Sequence, residues 1–481
     1  MKVKHWFGKL GIASMALALF LPGFAQAKGS MADDSIYDLL VDRFNDANPD
    51  NNEGVNSLDP YAFNGGDFEG VASRLQHIMD MGFTFVSIGP VFSMETYDGS
   101  RVLDYGKIEP HFGTEKELHA LIDEIHKNKL KVIADFPLGE VSENHVWVKS
   151  GKLKSTSDGN GVVHWDVQDP TVQTSLKQAV VDFVSTYQLD GIRLTKIDGF
   201  GADFLNELIK SVKDNKPDVY VLSQEASDAE FDLQANQDRM DALRQSFVEV
   251  NPDSSVLAQF SNSPHNEPVQ FDDLVGSRFT YDIVEKRMFP PTRWKLAATA
   301  LFTMPGTPIM PYGTEIAVNG KEAPESHPLM NFKTDMELKD HIADLNGLRN
   351  QSTTLRTGDF NILHNENGFL VYTRSSEDET WLIAINNTDK TANVTIPAET
   401  FGQNKKLRGV LNSDLVRESD DGVFRVVLDR ETEEIYITDE DKGFNTPYLI
   451  ASILVYILFL GFLFLVIKKG RERRRQDTVR K

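Results

Sequence analysis

Between residues 36 and 350, short apolar runs alternate with stretches whose apolar positions recur at helical spacing. The runs 83–88 (FTFVSI), 131–136 (KVIADF), 190–194 (DGIRL), 219–223 (VYVLS), 256–260 (VLAQF) and 308–312 (PIMPY) read as strands. The stretches 114–128, 171–187, 202–213 and 292–302 read as helices. Repeated strand–helix units predict a parallel sheet covered by helices. Over about 300 residues they favour an eight-unit (β/α)8 TIM barrel. A doubly wound open sheet is the alternative, but no Gly-x-Gly-x-x-Gly turn follows a first strand. The polar segment 141–170, with KSTSDGNG at 154–161, breaks the rhythm and predicts an excursion of the kind that lines a barrel's catalytic face. From about 357 the pattern changes again. Short β-branched or aromatic segments at 368–374, 380–386, 392–396, 406–410, 423–428 and 434–438 predict a small antiparallel β domain.

The two ends follow other rules. Residues 1–27 combine Lys2, Lys4 and Lys9, an apolar run from Leu10 to Phe20, and Ala25-Gln26-Ala27, which reads as a cleaved secretory signal. Residues 448–467 (YLIASILVYILFLGFLFLVI) carry no charge. At ~1.5 Å per residue such a helix spans ~30 Å, the hydrocarbon thickness of a bilayer. The basic tail 468–481 follows at once, which predicts a single-pass cell-membrane protein with its body outside and its C-terminus in the cytoplasm. The expected organisation is thus a signal at 1–27, a barrel at 28–355 with a B subdomain at about 139–170, a C-terminal β domain at 356–440, a transmembrane helix at 448–467 and the tail.

Composition sharpens this picture. The 481 residues carry a formal net charge of −22, with +3 in the first 27 residues and +6 in the tail, so the body holds −31. An electropositive nucleic-acid surface is not expected. There is no cysteine, which excludes disulfides, thiolate metal sites and a cysteine nucleophile.

Several motifs occur in a fixed order. They are Gly65-Gly66-Asp67-Phe68-Glu69-Gly70, Met81-Gly82-Phe83-Thr84, Gly89-Pro90-Val91-Phe92, Asp104-Tyr105, Pro110-His111-Phe112-Gly113-Thr114, Asp190-Gly191-Ile192-Arg193-Leu194, Pro305-Gly306-Thr307-Pro308 and Tyr312-Gly313-Thr314-Glu315. Over about 36–440 this set resembles the α-amylase family, glycoside hydrolase family 13. The resemblance implies a (β/α)8 barrel, a B subdomain after the third strand, a β-sandwich C domain and retaining cleavage of α-glucosidic bonds. That chemistry needs a carboxylate nucleophile and a carboxylic acid about 5–5.5 Å apart.

By this resemblance Glu225 matches the general acid, Arg193 the arginine that orients the nucleophile, and Asp135 the structural aspartate ending the third strand. The other positions depart. Thr195 stands at the nucleophile position, and a threonine hydroxyl needs an adjacent base to attack. Pro264 stands at the stabilising aspartate and Ser263 at the histidine before it. Gly139-Glu140 replaces the Asn–His pair, and Ser100 the sugar-stacking tyrosine. Asp198, three residues past Thr195, is a displaced nucleophile only if the register slips, and Arg193-Leu194 fixes that register. Asp272 and Asp273 are candidate substitutes for the second lost carboxylate.

The loop from Asp42 to Asn52 resembles the first-loop calcium site of cyclodextrin-glucanotransferase-like members. Its implied ligands are Asp46, Asn48, Asn51 and Asn52, with the Gly65 carbonyl and Asp67, a hard-oxygen set suited to Ca²⁺. An ion-free Asx-rich turn is the plain alternative. The family's second calcium site looks lost, with Gly139 and His164 at ligand positions. His164 with Trp165, His77 and Trp294 read as packing or surface residues.

These readings predict a membrane-tethered α-amylase-like protein without normal glycosidase activity, serving carbohydrate binding or interaction. Members that pair with membrane transporters make a membrane-protein partner a further expectation. An active α-glucan hydrolase or transglycosylase using Glu225, and an assembly subunit of a membrane complex, are the alternatives.

Overall fold

The computed structural model describes residues 30–260, 267–441, 443 and 446–479, so the signal-like segment 1–27 lies outside the described residues. Eight parallel strands form one sheet: β1 Ile36–Asp38, β2 Phe85–Ser87, β3 Lys131–Pro137, β4 Gly191–Thr195, β5 Tyr220–Ser223, β6 Leu233–Gln234, β7 Pro268–Val269 and β8 Thr307–Pro311. Their order is β6-β5-β4-β3-β2-β1-β8-β7. This is the expected (β/α)8 architecture.

Strand alternation decides what faces the barrel axis. Ile36, Phe85, Ile133, Tyr220, Leu222 and Leu233 form an apolar interior cluster. Two residues further along three of these strands and β4 come Asp38, Ser87, Asp135 and Arg193, so a polar layer lies above the apolar one. Thr195 lies two residues beyond Arg193 on the same face, at the barrel mouth. The opposite faces, with Val86, Val132, Ala134, Ile192, Leu194 and Val221, are buried beneath the helices. Burying each such aliphatic side chain contributes roughly 1.5–3 kcal/mol.

The covering helices start and stop where the sequence signals it. In Glu115–Lys127, the Thr114 Oγ accepts from the Glu117 N–H and Glu117 accepts from the Thr114 N–H, while Leu118, Leu121, Ile122 and Ile125 form the buried stripe. In Pro170–Tyr187, Asp169 caps the first turn, Pro170 opens it and Gln188 closes it in a left-handed conformation.

One expected strand is not a strand. Residues 255–260 form a 3₁₀ helix, Ser255–Phe260, that buries Leu257 and Phe260 one turn apart. The barrel strands on either side, β6 and β7, are two residues long, too short to appear as apolar runs.

The excursion after β3 folds as a small antiparallel sheet, with Val162–Trp165 between Glu140–Ser142 and Ser155–Ser157, plus the helix Val146–Ser150. The C-terminal domain is a six-stranded sheet and a two-stranded ribbon. Its strands are β9 Asp359–Glu366, β10 Phe369–Ser375, β11 Thr380–Asn386, β12 Ala392–Pro397, β13 Lys405–Gly409, β14 Leu415–Arg417, β15 Val423–Leu428 and β16 Thr432–Glu440. The sheet order is β9-β10-β11-β16-β13-β14, and β12 pairs with β15. A second core containing Val371, Leu382, Phe424, Val426 and Tyr436 lies between them. Buried arginines join the domain to the barrel: Arg374 donates to the Thr303 carbonyl at 2.7 Å and Arg293 to Glu431 at 2.5 Å.

The helix Thr446–Val479 follows. Its segment Thr446–Arg471 is long and apolar enough to cross a membrane by length and composition.

Candidate active site

Arg193 is the centre of the polar barrel layer. Its Nε and Nη2 donate to the two oxygens of Asp135, each at 2.8 Å. Its Nη1 and Nη2 donate to the two oxygens of Asp38 at 2.7 and 3.0 Å. All three residues are over 90% buried. Two carboxylates thus face one guanidinium, and burial pushes the Asp135 carboxyl above its usual range. Asp38 was not among the expected site residues. Its signal is an acid at the C-terminal end of the first barrel strand, where barrel enzymes place their chemistry. A cavity of about 30 Å³, room for roughly one water, lies beside Asp38 and Arg193 and is also lined by Ser223, Gln234, Gln270 and Asp273.

Glu225 follows β5 at the mouth. Its Oε1 accepts from the Lys196 N–H at 2.9 Å, while its Oε2 is buried with no protein partner. Burial raises its pKa, and the nearby Asp198 adds to the rise against the Lys196 and Ile197 amides. A raised carboxyl pKa suits a general acid. Lys196 holds a left-handed conformation at φ 58°, which turns the chain sharply just after β4. That loop also presses on Gly139: a Cβ at 139 would lie 2.3 Å from the Lys196 carbonyl oxygen. The absence of a side chain at 139 is therefore what lets the Thr195–Asp198 turn settle there. Glu140 lies beside Lys196 Nζ (3.4 Å) and His164 Nδ1 (3.6 Å) at the rim.

The other candidates separate from this cluster. Asp272 is buried, accepts from the Phe279 N–H, lies 3.9 Å from Arg278 and is pushed up to about 6 by desolvation, so it serves local structure. Asp273 caps the Val275 and Gly276 amides while touching the barrel cavity. Ser100 bonds to Thr96. Ser263 and Pro264 lie outside the described residues. Trp165 and Trp294 are buried, and His77 pairs with Glu315, so all three pack.

The first loop brings part of its expected oxygen set together. Gly65, at φ 100°, lies where a Cβ would come 2.9 Å from Asn52 Oδ1 and 3.0 Å from Asp46 Oδ2. Asn51 Oδ1 and Asn52 Oδ1 are buried without a partner. Asp67 is largely committed: it accepts from the Ala47, Asn48 and Gly70 amides. Asn48 Oδ1 accepts from Asp50. No cluster of three His, Cys, Asp or Glu side chains occurs among the described residues. The donor chemistry at Asp46, Asn51 and Asn52 is amide and carboxylate oxygen, which fits Ca²⁺.

The fold has solved counterparts. An α-amylase from Anoxybacillus superposes with a TM-score of 0.82 at 35% identity, covering 86% of this chain and all of that one. This chain belongs to the α-amylase family. Residues 38–174 match the family's "Alpha amylase, catalytic domain" and 358–436 its "Alpha-amylase C-terminal domain". An α-amylase from Geobacillus thermoleovorans, solved with acarbose, aligns at 34% identity and a TM-score of 0.80, covering 86% of this chain and all of that one. A cyclomaltodextrinase from Geobacillus thermopakistaniensis is 26% identical over 427 residues, 79% of this chain and 73% of the relative. By family the chain is an α-amylase-type glycoside hydrolase.

Proposed function

We propose that this α-amylase-family chain recognises α-glucan oligosaccharides at the barrel mouth while tethered to a membrane by its C-terminal helix, and does not run the ordinary two-carboxylate displacement. The observation that carries this reading is the threonine at 195. The barrel wall, the arginine and the acid Glu225 are in place, but the position that attacks the anomeric carbon holds a neutral hydroxyl with no base assigned to it. Function follows the site rather than the fold.

Active α-glucan hydrolysis is the second reading. Two observations favour it: Glu225 has a raised pKa with Asp198 nearby, and the relatives bear the names cyclomaltodextrinase and maltogenic α-amylase. In this reading Glu225 protonates the leaving oxygen and Asp198 supplies the second carboxylate. Calcium in the Asp46–Asn52 loop is proposed as a structural ion, supported by the unpartnered Asn51 and Asn52 oxygens.

The test is maltoheptaose hydrolysis by the full-length chain in detergent with calcium, beside Glu225→Gln and Asp198→Asn. The first reading expects no turnover by any of the three, with saturable maltoheptaose binding in calorimetry. Turnover lost in both variants establishes the second.

A further inference from the structure

Arg193 carries five N–H donors, and four hydrogen bonds to Asp38 and Asp135 occupy its two edges. No other side-chain hydrogen bond to Asp38 is found among the described residues, so this carboxylate is held by the guanidinium alone. Arg193 and Thr195 lie on the same face of β4, one layer apart, and Asp135 is paired beside Arg193 in register. Where the family's nucleophile occupies position 195, it draws on the arginine two residues before it. Here the edge of Arg193 turned away from Asp135 is already taken by Asp38, from the opposite side of β3 and β2.

A buried guanidinium with one edge unpaired would leave charge and donors unsatisfied. With Asp135 on one edge, Asp38 satisfies both the donors and the charge on the other. We propose that Asp38 is a positioning residue that replaces a carboxylate at position 195 as the second counter-ion of Arg193, and that this exchange is what keeps the barrel stable with threonine at the nucleophile position. A carboxylate returned to 195 in the present chain, half-buried one layer above Arg193, would be the third around one arginine. The inference deepens the reading of a cleft that works without a carboxylate at 195. The two fail separately: turnover by the native chain overturns that reading, whereas the stability cycle below concerns Asp38 alone.

The experiment is a double-mutant cycle on the full-length chain in detergent, read as Tm. Thr195→Asp is expected to lower Tm by several degrees at pH 7.5, while the neutral Thr195→Asn leaves it unchanged, separating charge from size. Asp38→Asn lowers Tm. In the Asp38→Asn background, Thr195→Asp is expected to raise Tm, because it restores two carboxylates to one arginine. The penalty of Thr195→Asp alone shrinks toward pH of about 4, where a crowded carboxylate takes up its proton. If Asp38→Asn does not fold, recovery of folded protein in the double variant supports the proposal and failure of both variants overturns it. Additive effects, or a Thr195→Asp penalty with no pH dependence, assign Asp38 a merely structural role and overturn it too.

Discussion

The polar layer of the barrel and the first loop both gather side-chain oxygens, and they resolve the resulting charge differently. In the polar layer, Asp38 and Asp135 find their cation within the chain, and every oxygen of the pair has a short hydrogen bond from Arg193. In the loop, Asn51 and Asn52 hold buried oxygens that no protein donor reaches. A site that supplies its own counter-ion is internally closed, while one with aimed and unpartnered oxygens is completed from outside. Buried polar groups are seldom left alone, which supports the calcium proposed for the loop, whereas the Asp38–Arg193–Asp135 layer is satisfied from within.

The largest expected effect comes from removing the internal cation. Arg193→Met leaves two carboxylates buried without a partner and is expected to cost about 3–5 kcal/mol, measured by urea unfolding. A loss under about 1 kcal/mol would mean that water already serves these acids and would erase the contrast with the loop.

Glu433, at the junction of barrel and C domain, is a half-buried acid with a histidine rather than an arginine beside it. Desolvation, with Glu434 adding and Lys295 opposing, raises its pKa to about 7, and His341 lies 3.5 Å away with its own pKa lowered by burial. The folded state therefore binds a proton that the unfolded chain releases near the ordinary value of 4.5. Stability from this group is full below that value and is lost as pH rises through about 7. Glu433→Gln is expected to raise stability at pH 8 by up to about 3 kcal/mol and to change little at pH 5, with Tm across that range as the check.

Calcium removal tests the loop directly. Addition of calcium at a hundred times its dissociation constant is expected to stabilise the chain by about 2.7 kcal/mol, with the Tm shift reversed by EDTA and absent in Asp46→Ala. An unchanged Tm would make the loop an Asx-rich turn. Gly65→Ala, which strains a φ of 100° and crowds Asp46 and Asn52, is expected to cost about 1–3 kcal/mol and to abolish the calcium response. The smallest effect belongs outside both regions. Thr114→Ala removes one helix cap and should cost about 1 kcal/mol, with no dependence on calcium.

The fold was legible where local signals were strong. β3 and β5, the capped helices 115–127 and 170–187, and most C-terminal strands lie within a residue or two of the expected bounds. β6 and β7 escaped because two-residue strands carry no periodicity. The 255–260 run misled because Leu257 and Phe260 are equally apolar in a strand and in a 3₁₀ turn. At the site, motif order anticipated Asp135 near the end of β3, Arg193 on β4 and Glu225 just past the end of β5. It could not reveal Asp38, because a hydrogen bond spanning 155 residues of chain is set by barrel closure and not by local pattern. Nor could it reveal that the Lys196 amide reaches Glu225, since that contact joins residues 29 apart in the chain.

Five residues separate Glu440, the end of the last β strand, from Thr446, where the apolar helix begins. Fully extended, such a connector reaches only ~18 Å. On the membrane-spanning reading the C-terminal domain is held within about that distance of the helix's entry into the lipid. The cleft then samples a thin layer above the membrane, so a soluble glucan must come to the protein. Its encounters are set by how densely the chains populate that surface, and capture by many neighbouring copies becomes the natural measure of its strength.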